Sequence, residues 1–139
     1  MAKLVLRDAY IEIDGVDFSD HCSQVEISLK KAEVDTTNFS GGGKERTHGL
    51  KDDTFSVTLQ QDYDAGSVDA ILYPLYDTDG AEFTVKVRPR AAAKSATNPE
   101  YTGTCILMEY QPLTGKVGDL SETKVEFPTQ RSGITRSTS

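Results

Sequence analysis

Thr54-Phe55-Ser56-Val57-Thr58-Leu59-Gln60 alternates polar and apolar side chains without a break. A period of two puts Phe55, Val57 and Leu59 on one face of an extended strand and Thr54, Ser56, Thr58 and Gln60 on the other. One face suits a core and the other suits water, which is the signature of an antiparallel sheet. The pattern recurs to either side. Ala9, Ile11 and Ile13 alternate with Tyr10, Glu12 and Asp14, and Asp14-Gly15 then supplies a tight hairpin turn into Val16-Asp17-Phe18. Val25, Ile27 and Leu29 alternate with Glu26, Ser28 and Lys30. The phase slips at Lys30-Lys31, which predicts a β-bulge that bends a long strand and turns Ala32 and Val34 inward. Ala81, Phe83, Val85 and Val87 form a further strand, and Tyr101–Tyr110 and Leu120–Phe127 two final long ones joined across Pro112–Gly118. Residues 128–139 read as a polar tail with a short strand at Gly133–Arg136.

A single segment breaks this pattern. Ser67 precedes Val68, Ile71, Leu72 and Leu75, which fall at i, i+3, i+4 and i+7. A helix is expected over 67–76, shortened, kinked or ended near Tyr73 by Pro74. Arg90–Glu100 is an irregular connection. The expected fold class is therefore mainly β: an antiparallel β-sandwich or barrel with one short flanking α-helix and a long glycine-rich loop. With no internal repeat and no domain boundary in view, residues 1–139 read as a single domain.

The loop is Asn38-Phe39-Ser40-Gly41-Gly42-Gly43-Lys44-Glu45-Arg46-Thr47-His48-Gly49-Leu50. Three glycines bring no side chain to packing, and a loop of this length in a compact domain is usually functional or disordered. Lys44-Glu45-Arg46 at its centre mixes signs, which suits docking on another polar surface.

Composition narrows the function further. The 139 residues carry a net charge of −7, and residues 1–64 hold most of it, with seven basic against thirteen acidic groups. Such a chain is a poor candidate for gripping nucleic acid, because phosphate binding needs clustered Lys and Arg. Cys22 and Cys105 are too few for a disulfide framework and read as reduced thiols. No apolar run approaches the ~20 residues of a membrane span, and no signal-peptide core is present, so a soluble chain made in the cytoplasm is expected.

Catalytic and metal motifs fail one by one. His21 and Cys22 are adjacent, so on a strand they point to opposite faces. A Cys22–His48 dyad has no supporting spacing, and the Cys-x-x-Cys type of zinc spacing is absent. Gly43-Lys44 is followed by Glu45 where a phosphate loop needs Ser or Thr. Asp77-Thr78-Asp79-Gly80 begins like a calcium loop, but Arg88 stands where the bidentate Glu belongs. No enzyme, metal or cofactor is expected.

The order of these pieces resembles the tail tube (major tail) proteins of long-tailed bacteriophages. The likeness rests on Asp14–Ser19, on Val34–Phe39 leading into the glycine loop, and on Gly49–Asp53 leading into the Phe55–Leu59 strand. It continues through Asp62-Tyr63, the Val68–Leu75 helix, Asn98–Gly103 and Ser132–Arg136. The resemblance implies a β-sandwich with a flanking helix, whose copies form hexameric rings that stack into a tube conducting double-stranded DNA. It implies contacts with the tape measure, tail terminator and distal tail proteins, no membrane, and a place in the virion tail after assembly in the host cytoplasm. The long loop then reaches the neighbouring ring, which makes Asn38, Phe39, Gly41, Gly42, Gly43, Lys44, Glu45, Arg46 and His48 inter-ring candidates. Lumen-facing candidates are Glu26, Ser28, Thr54, Ser56, Thr58, Gln60, Glu122, Lys124 and Glu126, for each of which the alternative is an ordinary solvated sheet face. Other readings are a tube subunit of a contractile injection machine and a monomeric binding β-sandwich. The absence of tryptophan and the scattered tyrosines count against the second.

Overall fold

The computed structural model describes residues 3–138. β1 (Tyr10–Ile13) and β2 (Val16–Asp17) form the expected hairpin. Its turn places Asp14 at φ 53° and Gly15 at φ 82°, left-handed values that Gly adopts without strain and Asp tolerates. After β3 (Cys22–Ser28) come β4 (Lys31–Asp35), β5 (Arg46–Lys51) and β6 (Thr54–Gln60). Helix α1 (Val68–Asp77) leads to β7 (Glu82–Arg88), β8 (Glu100–Ile106) and β9 (Glu122–Ser137).

Seven strands join in the order β2-β1-β7-β8-β9-β6-β3, every neighbouring pair antiparallel, and the sheet curls into a half-barrel. β9 makes the curl, because its first half pairs with β6 up to Thr54↔Pro128 and its second half pairs with β8 from Cys105↔Thr129 onward. Pro128 marks the change of partner, as fits a residue with no N–H to give a ladder. Residues 128–139 are thus not a polar tail with a short strand. They continue β9 to Ser137, around a bulge in which residues 130–133 stand opposite Thr104 alone.

The core lies inside the curl. Ile11, Ile13, Phe55, Val57, Leu59, Val85, Val125 and Phe127 are buried, as the alternation predicts. Phe83 meets Phe127 edge to face at 5.3 Å, joining the two halves of the sheet. Helix α1 lowers Val68 and Leu72 into this core, each such side chain contributing about 1.5–3 kcal/mol of burial. Pro74 does not end the helix, which runs on to Asp77. Ser67 occupies the N-cap position, yet its hydroxyl makes no cap bond and instead donates to Asp62 Oδ2 at 2.8 Å.

The predicted bend at Lys30-Lys31 is a full break. β4 pairs with β5 alone, outside the main sheet, so Ala32 and Val34 do not face inward. Both are exposed and sit over Gly49, where a Cβ would come within 2.9 Å of Val34 Cγ2. Leu29 is 60% exposed for the same reason, as the chain is already leaving the sheet there.

Candidate assembly surfaces

The nine lumen-facing candidates converge on one surface. Antiparallel register sets Ser28 beside Thr54, Glu26 beside Ser56 and Ser56 beside Glu126. Thr58 sits beside Lys124, and Gln60 beside Glu122. All are partly or fully exposed on the face opposite Phe55, Val57, Val125 and Phe127. Two further residues join this surface, Gln24 in phase with Glu26 and Ser28 and Ser23 out of phase with them. Gln24 pairs with Thr58, and Ser23, displaced by a register shift between Cys22 and Gln24, donates its hydroxyl to Glu122 Oε2 at 2.5 Å. A bulge is the feature that period-two reading passes over.

The outer face of the other half-sheet differs. There the charges are matched: Arg88 binds Glu100 at 2.8 Å and lies 4.1 Å over the Tyr10 ring, and Lys86 approaches Glu12 at 3.9 Å. The β3–β6–β9 face carries three carboxylates against one lysine, with hydroxyls and amides between them.

The inter-ring candidates lie on a projecting hairpin. The predicted loop Asn38–Leu50 is shorter than its sequence suggests, since Arg46–Lys51 is strand β5, carrying Arg46 and His48. The neck is closed by Thr36 N–H donating to Glu45 O at 3.0 Å and Glu45 N–H donating to Thr37 Oγ1 at 2.9 Å. Beyond it, Asn38 Oδ1 accepts Ser40 N–H at 2.9 Å in a local turn. Gly41, Gly42 and Gly43 stand in open space, and Phe39 is fully exposed. Of the three docking charges, Arg46 is already paired with Glu33 at 2.5 Å, whereas Lys44 makes no ion pair among the described residues.

The hairpin is anchored at its root by Asp53, a residue the sequence did not single out. Its carboxylate is 1% exposed and accepts Lys30 N–H and Ile134 N–H, each at 2.9 Å, with Lys51 Nζ at 3.3 Å. Burial by itself would raise this carboxyl's pKa, but the two backbone donors and the ammonium outweigh it and hold the value below the ordinary one. Lys30 precedes β4 and Lys51 ends β5, so one buried charge ties both feet of the hairpin to β9.

One cluster invites a catalytic reading and fails it. Ser67 Oγ lies 3.5 Å from His21 Nε2, with Asp62 beside both. Yet His21 Nδ1 faces Asp20 at 2.8 Å and Nε2 faces Asp62 at 2.9 Å, so the ring is held between two carboxylates and its pKa is raised. With both ring nitrogens engaged by carboxylates and the Ser67 hydroxyl already donating to Asp62, the ring is not placed to take a proton from Ser67. Cys22 and His48 lie on separate sheets, and burial pushes the Cys22 thiol up and Cys105 to about 12, away from thiolate chemistry. No group of three metal-ligating side chains occurs, and no helix is long and apolar enough to cross a membrane, among the described residues.

No protein-family model matches the chain, and no curated protein matches it. Its fold does match solved structures. A chain of the virion of the native gene transfer agent (GTA) particle superposes with a TM-score of 0.67 at 15% identity, over 94% of this chain and 95% of that one. A chain of the tail of the empty GTA particle, a C6-symmetric assembly, superposes with a TM-score of 0.60 at 12% identity, over 86% and 82%.

Proposed function

We propose that the chain is a structural virion protein, the repeating subunit of a phage-type tail tube in which six copies close a ring and rings stack around a lumen. The observation that carries this reading is the likeness in fold to the GTA virion chain over nearly the full length of both. The C6 symmetry described for the GTA tail supports the sixfold count. The seven-residue strand β3 ends the sheet order with one edge unpaired, a liability that closure into a ring removes.

In this reading the β3–β6–β9 face lines the lumen and the ion-paired face of β1, β7 and β8 points outward. The lumen face is short of cations, so DNA phosphates find little to hold them. Six copies at −7 each put −42 on a ring, which discourages adhesion further. The hairpin reaches the adjacent ring with Phe39 and Lys44 at its tip. Tape measure, terminator and distal tail proteins are the partners at the ends, the tail is the location, and DNA passes without being bound.

Negative-stain electron microscopy of the concentrated protein tests the reading. Rings or hollow tubes with sixfold symmetry are expected. A species that stays monomeric at every concentration overturns it.

A further inference from the structure

From Gln61 to Val85 the sequence holds six acidic residues and no lysine, arginine or histidine. Asp62 is engaged with His21, and Asp69 accepts the Tyr110 hydroxyl at 2.8 Å. Asp77 and Asp79 pair with no cation among the described residues. Both stand on the rim of an open depression of ≈ 390 Å³ between the end of α1 and the end of β8. Tyr76, Ile106 and Met108 bring apolar side chains to a lining that is otherwise polar, and Leu107 lies buried at its edge. Tyr76 and Met108 are exposed. Three apolar side chains set beside two unpaired carboxylates fit a short apolar segment flanked by cations.

The chain carries such a segment. Lys3-Leu4-Val5-Leu6-Arg7 belongs to no strand, exposes all three aliphatic side chains, and its two cations make no ion pair among the described residues. Within one copy the segment and the depression lie at opposite ends of β7. Tyr10 pairs with Arg88, and Leu6 and Arg7 line a hollow beside Ala91, whereas the depression adjoins Gly80, just before Glu82. Those ends are separated by about 20 Å of strand, and Leu6, four residues from Tyr10, reaches only about 13 Å even if the chain reversed. Leu6 therefore cannot enter the depression of its own copy, and an occupant that seats Leu4 and Leu6 together comes from another molecule.

We propose that Lys3–Arg7 of one copy docks in the Tyr76–Met108 depression of a second copy. In an extended segment Leu4 and Leu6 share a face and enter the depression, while Lys3 and Arg7 leave from the opposite face and fold their long stems back over the rim to Asp77 and Asp79. The contact is heterologous, joining different patches of the two copies, so repetition builds a ring or a filament rather than a closed dimer. It stands independently of the tube reading.

Two charge-reversed chains test it: Lys3→Glu with Arg7→Glu, and Asp77→Lys with Asp79→Lys. In low-salt sedimentation velocity, each variant alone should associate at least about tenfold more weakly than wild type while keeping its melting temperature. Mixing the two should restore association, because each reversed segment then faces a reversed rim. Variants that associate like wild type overturn the contact, as does a mixture no more associated than its parts or a wild type that never associates. Rings formed with unchanged yield by both variants overturn the contact and leave the tube reading standing. Swap-dependent association into some other species supports the contact and counts against the tube.

Discussion

The buried carboxylate of Asp53 accepts the backbone N–H of Ile134 at 2.9 Å while its other oxygen accepts that of Lys30 at 2.9 Å. Two segments 104 positions apart are thus held by one side chain, and the projecting hairpin leaves the sheet from that point. Asp53→Asn keeps the shape but replaces an acceptor with an NH₂ group facing donors. It should cost about 2–4 kcal/mol in urea unfolding. A change below about 0.5 kcal/mol would show that the carboxylate is not the anchor. The pH dependence carries a sign. A lowered carboxyl pKa contributes stability in full above the ordinary value of 3.8, and that contribution is lost as pH falls through the lowered native value. Wild type should therefore lose stability more steeply than Asp53→Asn below about pH 4.

Gly133 is bound up with the same anchor. Its φ is +66°, and a Cβ there would lie 2.6 Å from Asp53 Oδ2 and 2.8 Å from Lys51 Cε. Gly133→Ala should destabilise by about 1–3 kcal/mol, through backbone strain and displacement of the carboxylate. Gly42→Ala is the control, since nothing lies within 4 Å of its added methyl. It should be neutral or stabilising by about 0.5 kcal/mol in the same urea titration. Equal effects at the two positions would refute the steric account of Gly133.

These anchors explain what the sequence could and could not tell. Strands such as Thr54–Gln60 and Glu82–Arg88 were legible because each has one buried face, and burial imposes alternation. The helix stripe of Val68 and Leu72 was legible for the same reason. β5 was not, because a hairpin with no core beneath it has nothing to sort its side chains, and β4 was legible as a strand but not in its place outside the main sheet. Ala32 and Val34 keep the alternation of a buried strand yet stay exposed. β9 beyond Pro128 was obscured by the bulge at residues 130–133, which interrupts the period within a continuous strand. Alternation marked the lumen candidates only as a solvated face, the family resemblance suggested the lumen, and their convergence on one surface depends on register, which a single sequence does not record. Asp53 was invisible because its partners are backbone groups distant along the chain.

His21 predicts a second pH effect of opposite sense. Hydrogen bonds to Asp20 and then Asp62 raise its pKa and outweigh the lowering effect of burial. A raised value means the stabilisation is complete below the ordinary value of 6.5 and disappears as pH rises through the raised native value. Melting temperature should decline over that window in wild type and stay flat in His21→Gln. Parallel curves for the two proteins would remove His21 from the account. Histidine NMR titration would locate the upper end of the window.

The tip of the hairpin should matter to assembly and not to folding. Excising residues 40–44 spares both strands and the Thr37–Glu45 neck. Circular dichroism and melting should therefore match wild type, while tube length in micrographs falls to isolated rings or short stacks. Full-length tubes from the excised protein would exclude the glycines and Lys44 from ring-to-ring contact.

The lumen assignment makes the most exacting prediction, because it concerns a face rather than a residue. Glu126 lies beside Ser56 on the β9 side of the β3–β6–β9 face, and Glu122 at the end of that strand pair is held by Ser23. Replacing both by Lys changes the charge by +4 per subunit without touching the core. Rings should still form. Six such subunits would line the lumen with +24 relative to wild type, enough to condense phosphate and release counterions. Tubes of the variant incubated with short duplex DNA should then show density inside the lumen in cryo-electron microscopy. That density should vanish steeply with added salt, as counterion release requires. Wild-type tubes should remain empty under the same conditions. DNA decorating the outer wall instead would mean the sheet faces outward, and the ion-paired face around Arg88 and Glu100 would become the lumen wall.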